Sequence, residues 1–267
     1  MTKTMTLAAL AATCAMLAAC GGNGDGPAQS PAPAPSPAAP TVFSYVPAAL
    51  GQTDVWTQTQ TDTLGNSASM LLRLRVTDGS ESGARVYTYD DPTGTRVVQD
   101  GLTFWVEPET ENLSPTGNVT DYTWTSTTGV QTTCVYGSAS SGTSGTQVAA
   151  DRAVAMGESH LQSLKPGDIL NGSYTIACGS NAPITYSTMI SVFPLETITV
   201  SAGTFQAFKE VVSTTWDHNG FSNSIGITLW RDPARSLLPV KLDEAIVHGD
   251  TSKPYISHVT RELQSRG

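Results

Sequence analysis

"SMLLRLRVTD", Ser69 to Asp78, alternates with a period of two. Met70, Leu72, Leu74 and Val76 take one side, and Arg73, Arg75 and Thr77 the other. Successive side chains of a strand point to opposite faces, so this stretch is a strand with one apolar face and one polar face. "PITYSTMISVF", Pro183 to Phe193, repeats the pattern: Ile184, Tyr186, Ile190 and Val192 alternate with Thr185, Ser187 and Ser191. Shorter runs rich in β-branched and aromatic residues predict further strands over Ala84–Tyr89, Gly101–Glu107, Tyr122–Ser126, Val130–Tyr136, Ser173–Cys178, Phe205–Trp216, Ile225–Arg231 and Tyr255–Leu263. Asp90-Asp91-Pro92, Asp100-Gly101 and Asn219-Gly220 carry turn chemistry between them.

One stretch has helical character. Gln147 to Leu164, "QVAADRAVAMGESHLQSL", is rich in alanine, with Leu161 and Leu164 on one side, and Pro166-Gly167 ends it. The fold expected is mainly β: an antiparallel, strongly curved sheet, a half-barrel or open barrel, with one short helix. "YVPAALGQTDVW" near residue 45 and "LQSLKPGDILNGSY" near residue 161 share a Pro, Gly, Asp and strand-start order. Two similar halves divided near residue 150 would produce that echo, and so would two independent turns.

Ahead of the strands stands a different kind of chain. Lys3 is the only charge before Cys20, and Leu7 to Ala19 is almost wholly apolar, the layout of a secretory signal and too short to span a bilayer. Leu17-Ala18-Ala19-Cys20 resembles the lipobox of bacterial lipoproteins. The resemblance implies cleavage before Cys20 and a lipid on its sulfur, with palmitate or a related acyl chain on the new amine. It also implies a place in the cell envelope, and Gly21 after the cysteine implies the outer membrane of a Gram-negative cell. Two or three acyl chains hold a protein stably where one does not. Gly21 to Gly26 then supply flexibility, and Pro27, Pro31, Pro33, Pro35, Pro37 and Pro40 favour an extended tether, on the order of 40 Å over residues 27–40 at ~3.1 Å per residue. The expected organisation is a signal over 1–19, a lipidated tether over 20–40 and a β domain over 41–267.

Cysteine usage follows from this. Cys14 leaves with the signal and Cys20 takes the lipid, so Cys134 and Cys178 remain. In an oxidising compartment a disulfide is the simplest state for two such thiols. A metal pair or a nucleophilic thiol would need a His or Cys at ligand spacing, and neither cysteine has one. The chain carries 14 basic and 23 acidic residues, net −9, with no basic cluster, which argues against nucleic acid as a partner.

"ETITVSAGTFQAFKEV" and "LWRDPARSLLPVKL", with "YVPAALGQTDVW" at the start of the domain, resemble a motif of a largely uncharacterised family of exported bacterial proteins and lipoproteins. Sheets of that family are likened to the half-barrels of lipoprotein-localisation factors. The resemblance implies a curved, half-barrel-like sheet. A sheet of that kind, with one apolar face and one covering helix, leaves either a ligand-sized concavity or, where the helix and aromatic side chains fill it, a scaffold with no pocket. The chain departs from the family pattern at Arg235-Ser236-Leu237, where a Gly-containing turn is usual. Read bottom-up, Gly203 supplies a positive φ, and Phe208, Val212 and Trp216 make a core stripe.

Motifs for chemistry are weak. Ser159 and His160 are neighbours within the helix candidate and would point apart. His218 lies in the "DHNG" turn, and His248 and His258 stand near Asp243, Glu244 and Asp250, a set from which a metal or acid–base site could be assembled. "DDPTG", Asp90 to Gly94, lacks the alternating oxygen ligands of a calcium loop. The function expected is therefore a membrane-anchored, non-enzymatic binding or scaffold domain for an envelope partner or apolar ligand, with no catalytic or metal residues assigned and no cofactor. The alternative is a secreted hydrolase or metal-dependent enzyme built from dispersed residues.

Overall fold

The structure is a computed structural model that describes residues 48–115, 119–137, 140–141, 165–233 and 238–267. All of them fall within one compact unit, Ala39–Gly267, which carries its own core. The helix expected over Gln147–Leu164 and the signal and tether lie outside the described residues.

Among the described residues there are fifteen strands: β1 (Thr53–Asp62), β2 (Ser67–Asp78), β3 (Arg85–Asp90), β4 (Arg96–Gln99), β5 (Leu102–Trp105), β6 (Glu109–Leu113), β7 (Val119–Thr125), β8 (Gln131–Tyr136), β9 (Ser140–Ser141), β10 (Ile169–Cys178), β11 (Ile184–Val200), β12 (Gly203–His218), β13 (Phe221–Arg231), β14 (Pro239–Val247) and β15 (Ile256–Arg266). Every pairing is antiparallel. The order runs β11-β12-β13-β14-β15-β1-β2-β3-β6-β7-β8-β10, and β10 pairs back onto β11 through Ile169↔Ser191 to Ile176↔Ile184. The curved antiparallel sheet expected from the alternation is present. It goes further than a half-barrel: the twelve strands close into one ring, with β9 added beside β10 and β4–β5 forming a separate hairpin.

Closure has a physical consequence. Eight strands leave an interior that side chains just fill, and diameter grows with strand number, so twelve leave room inside. Met70, Leu72, Leu74 and Val76 of β2 are all buried on the inner face. Around them pack Trp56, Tyr87, Phe104, Leu113, Val240 and Leu263, while Leu170, Ile190, Val192, Phe208, Val212, Leu229 and Leu242 form a second cluster. Much of the outer face of β1, β2 and β7 is polar, while Val135 of β8, Ile169 of β10 and Met189, Phe193 and Leu195 of β11 are exposed apolar side chains. Thr59 bonds Ser69 at 2.7 Å, Thr123 bonds Thr133 at 2.8 Å, and Arg73 donates to Asp90 through Nε and Nη2 at 2.8 and 2.7 Å.

Turn chemistry matches the hairpins. Asn219 and Gly220 both take positive φ, +52° and +79°, between His218 and its partner Phe221, and Asp100-Gly101 does the same between Gln99 and Leu102. That is the type I′ geometry whose twist fits the flanking strands. Pro194 sits inside the long strand β11 where the register slips between Val192 and Leu195, a bulge that excuses its missing N–H. Cys134 faces Cys178 across β8 and β10, and the two are joined by a disulfide.

Candidate functional site

The room inside the ring is a cavity of about 460 Å³. One wall is aliphatic, made by Ile227 and Leu229 of β13, Leu242 and Ile246 of β14, and Val259 of β15. The facing wall is acidic. Glu109 and Glu111 fall on alternate positions of β6 and turn to its inner side, and Glu107 lines the cavity from the segment just before the strand. Glu244 adds a fourth carboxylate from within the aliphatic wall itself, paired with Ile227 and Val259. Tyr87 and Tyr89 of β3 stand opposite Glu111 and Glu109 in register and line the same space. The lining holds two cations. Arg231 Nε is tied to Glu210 Oε2 at 2.7 Å, and Arg261 Nε donates to Gln58 Oε1 at 2.8 Å.

The β4–β5 hairpin lies against this space. Gln60, on the inner face of β1, clamps its backbone: Nε2 donates to the Trp105 carbonyl at 3.0 Å, and the Trp105 N–H donates to Oε1 at 3.2 Å. At the hairpin turn, Asn66 Nδ2 donates to Asp100 Oδ2 at 2.9 Å. Phe104 is fully buried in the main core, while Thr103, Trp105 and Val106 line the cavity. The Arg96 guanidinium sits 4.7 Å over the Trp105 ring.

The cavity carboxylates run from exposed Glu107 through half-buried Glu109 and Glu244 to buried Glu111. Burial pushes the Glu109 carboxyl up to about 7, a shift that Arg261 opposes and Glu107 reinforces. Burial raises Glu107 as well. It also raises Glu244, against the pull of Arg261 and His258. Beyond β6 the inner wall turns aromatic. Tyr122, Tyr136, Tyr174, Tyr186 and Trp216 follow one another across β7, β8, β10, β11 and β12, with successive ring centroids 5.8, 5.9, 5.2 and 5.3 Å apart. Each ring sits beside the next because the register puts it on the same face of a neighbouring strand. Burial raises the Tyr122, Tyr136 and Tyr174 hydroxyls, so they stay protonated donors.

The residues singled out from sequence do not converge. His258 Nε2 lies 2.8 Å from Asp243 Oδ1 on the outer face, with both side chains well exposed. Glu244 turns the other way, into the cavity. His248 packs against Tyr255, with ring centroids 4.6 Å apart, and its Nδ1 is 3.2 Å from Asn223 Oδ1. Asp250 accepts the Ser252 N–H, and His218 is exposed in its turn. In "DDPTG", Asp90 is engaged by Arg73 and Arg75, and Asp91 accepts the N–H groups of Thr93 and Thr95. Among the described residues no group of three or more His, Cys, Asp or Glu is placed to hold a metal ion. Cys20, Ser159 and His160 lie outside the described residues. The acidic wall was missed, although "EPETE", Glu107 to Glu111, showed it as a period-two run of glutamates.

No family model matches the chain, and no curated protein does either. Solved structures do match. An exported protein with a YmcC-like fold from Bacteroides fragilis aligns over 84% of this chain and 99% of that one, at 12% identity and a TM-score of 0.44. A lipoprotein from Parabacteroides distasonis aligns over 85% and 100%, at 13% identity and a TM-score of 0.39. The hypothetical lipoprotein YmcC from Escherichia coli aligns over 79% and 83%, at 11% identity and a TM-score of 0.39.

Proposed function

We propose that this chain is a lipid-anchored protein of the bacterial envelope whose barrel holds a small ligand in its lumen without transforming it. The cavity carries the reading: about 460 Å³ inside a closed ring, aliphatic on one side and lined by converging polar groups on the other. Ligand sites are concave and mostly apolar, with a few polar groups that set orientation, and this volume falls within their usual range. The anchor is supported by Leu17-Ala18-Ala19-Cys20 and by the Pro-rich tether, which would hold the barrel clear of the headgroups. Gly21 supports sorting to the outer membrane.

The test is native mass spectrometry of Ala39–Gly267, exported to the periplasm and purified without detergent, with an extract of the same sample. A small molecule retained at one per protein supports the reading. A clean apo mass from every preparation overturns it.

One observation favours a catalytic reading instead. A carboxyl held near neutrality is suited to proton transfer, and Glu109 is such a group. Turnover in a hydrolase panel, lost in a folded Glu109→Gln protein, would choose that reading over the first.

A further inference from the structure

We propose that the lumen ligand is an amphipathic organic cation, with its apolar body on the Ile227–Leu229–Leu242–Val259 wall and a protonated amine or quaternary ammonium turned toward Glu107, Glu109 and Glu244. The inference rests on the lumen-binding reading and adds the ligand's chemical class.

The charge count inside the ring points this way. Glu107, Glu109 and Glu244 line the cavity, and among the described residues none of them makes a hydrogen bond or an ion pair. Glu107 is exposed, whereas Glu109 and Glu244 are half-buried, and a charge partly shielded from water with no ion pair is costly. Of the two cations in the lining, Arg231 is bound to Glu210, and Arg261, whose Nε donates to Gln58, acts on Glu109 and Glu244 without forming an ion pair with either. A cation entering the cavity would supply the missing partner, an anion would add to the repulsion, and a neutral alcohol would do neither. A second group on the same inner wall is also unmatched. Tyr136 is 3% exposed, its hydroxyl has no hydrogen-bond partner among the described residues, and the carboxylate charges acting on it are those of Glu111 and Glu109. Tyr87, Tyr89 and Trp105 add aromatic rings to the cavity, and ring faces attract cations. Trp105 already accepts one in Arg96.

Protonation should couple to binding. The groups facing Glu109 are the acids Glu107, Glu111 and Glu244, the cation Arg261, and the hydroxyls of Tyr89, Tyr122 and Tyr136. Burial keeps the Tyr122 and Tyr136 hydroxyls protonated and raises Glu107 and Glu244, and Glu109, at about 7, titrates near neutrality. An alkylamine resembles Lys, with a pKa of about 10.4, and keeps its charge from pH 6 to pH 8. If the amine binds beside ionised Glu109, its affinity scales with the ionised fraction, which rises about tenfold over that interval.

The experiment compares three probes of equal chain length, octylamine, octanol and octanoate, on Ala39–Gly267 by calorimetry and tryptophan fluorescence. The expected order at pH 8 is octylamine at least about tenfold tighter than octanol, with octanoate weakest. Lowering the pH to 6 should weaken octylamine about tenfold and leave octanol unchanged. Glu109→Gln, nearly isosteric, should bring octylamine close to octanol and remove the pH dependence, while the outward Asp243→Asn should change nothing. Equal or tighter binding of octanol or octanoate overturns the cation while the lumen reading stands. Octylamine binding that survives Glu109→Gln but falls in Asp243→Asn places the cation on the outer face and overturns the proposal. Failure of all three probes to bind removes the lumen reading and the proposal together.

Discussion

Removing the Cys134–Cys178 disulfide should open the barrel at one seam. The ring is held unevenly: β11 and β12 pair from Tyr186↔Trp216 to Val200↔Gly203, whereas β8 and β10 share only Ile176↔Tyr136, Ala177↔Val135 and Cys178↔Cys134. The disulfide lies at the end of that shortest ladder and closes a sequence separation of 44 residues. In the chain-entropy model a loop of that length is worth about 4 kcal/mol. Against typical domain stabilities of roughly 5–15 kcal/mol, this is a large share. The perturbation is Cys134→Ala with Cys178→Ala, chosen over serine because Cys134 is fully buried and a hydroxyl there would need a partner. Urea unfolding followed by tryptophan fluorescence should show a loss of about 3–4 kcal/mol, and hydrogen exchange should quicken first at the amides of Tyr136 and Ile176. A loss below about 1 kcal/mol would refute the reasoning. So would exchange at the β8–β10 seam no faster than in β12–β13.

Three further outcomes are expected. Glu109 has a raised folded pKa, about 7 against an ordinary 4.5, so the native state binds more protons than the unfolded chain between those values. Stability should therefore fall as pH rises through that window, by up to ~3 kcal/mol, and urea titrations of Glu109→Gln should show the slope flattened. Arg231→Met strips Glu210, 1% exposed, of its 2.7 Å partner and should lose about 3–5 kcal/mol in a urea or thermal melt, with much of that regained in Glu210→Leu/Arg231→Met. Cys20→Ala in the full chain should move the protein from the membrane fraction to the soluble one, checked by fractionation with intact-mass analysis; a protein that stays in the membrane would contradict the anchor.

How far the fold could be read in advance depended on what each strand turns inward. β2 and β11 were legible because apolar residues face a polar exterior across the pleat. β1 and β6 were not. On β1 the inner positions are Asp54, Trp56, Gln58, Gln60 and Asp62, set against Thr57, Thr59 and Thr61 outside, and on β6 the inner positions include Glu109 and Glu111. A barrel that keeps polar groups in its lumen erases the hydrophobic contrast on which the alternation rule depends. The same polarity hid the candidate site, since glutamates on a strand are usually read as its solvent face. β14 was legible in principle: Val240 and Leu242 alternate with Lys241 and Asp243. Closure depends on β8 meeting β10 across the long segment after Tyr136, a pairing that local pattern does not encode. The turns were the easiest part, because Asn-Gly and Asp-Gly permit two successive positive φ angles that few other pairs tolerate.

Methyl-labelled NMR tests the central claim most directly, by locating a bound ligand on Ala39–Gly267 rather than only detecting one. With octylamine added, the account predicts shifts at the inward methyls of Ile227, Leu229, Leu242 and Val259. The outward methyls of Val98 and Val135 should stay still. Shifts confined to the outer set, with the inner methyls unmoved at saturation, would contradict it.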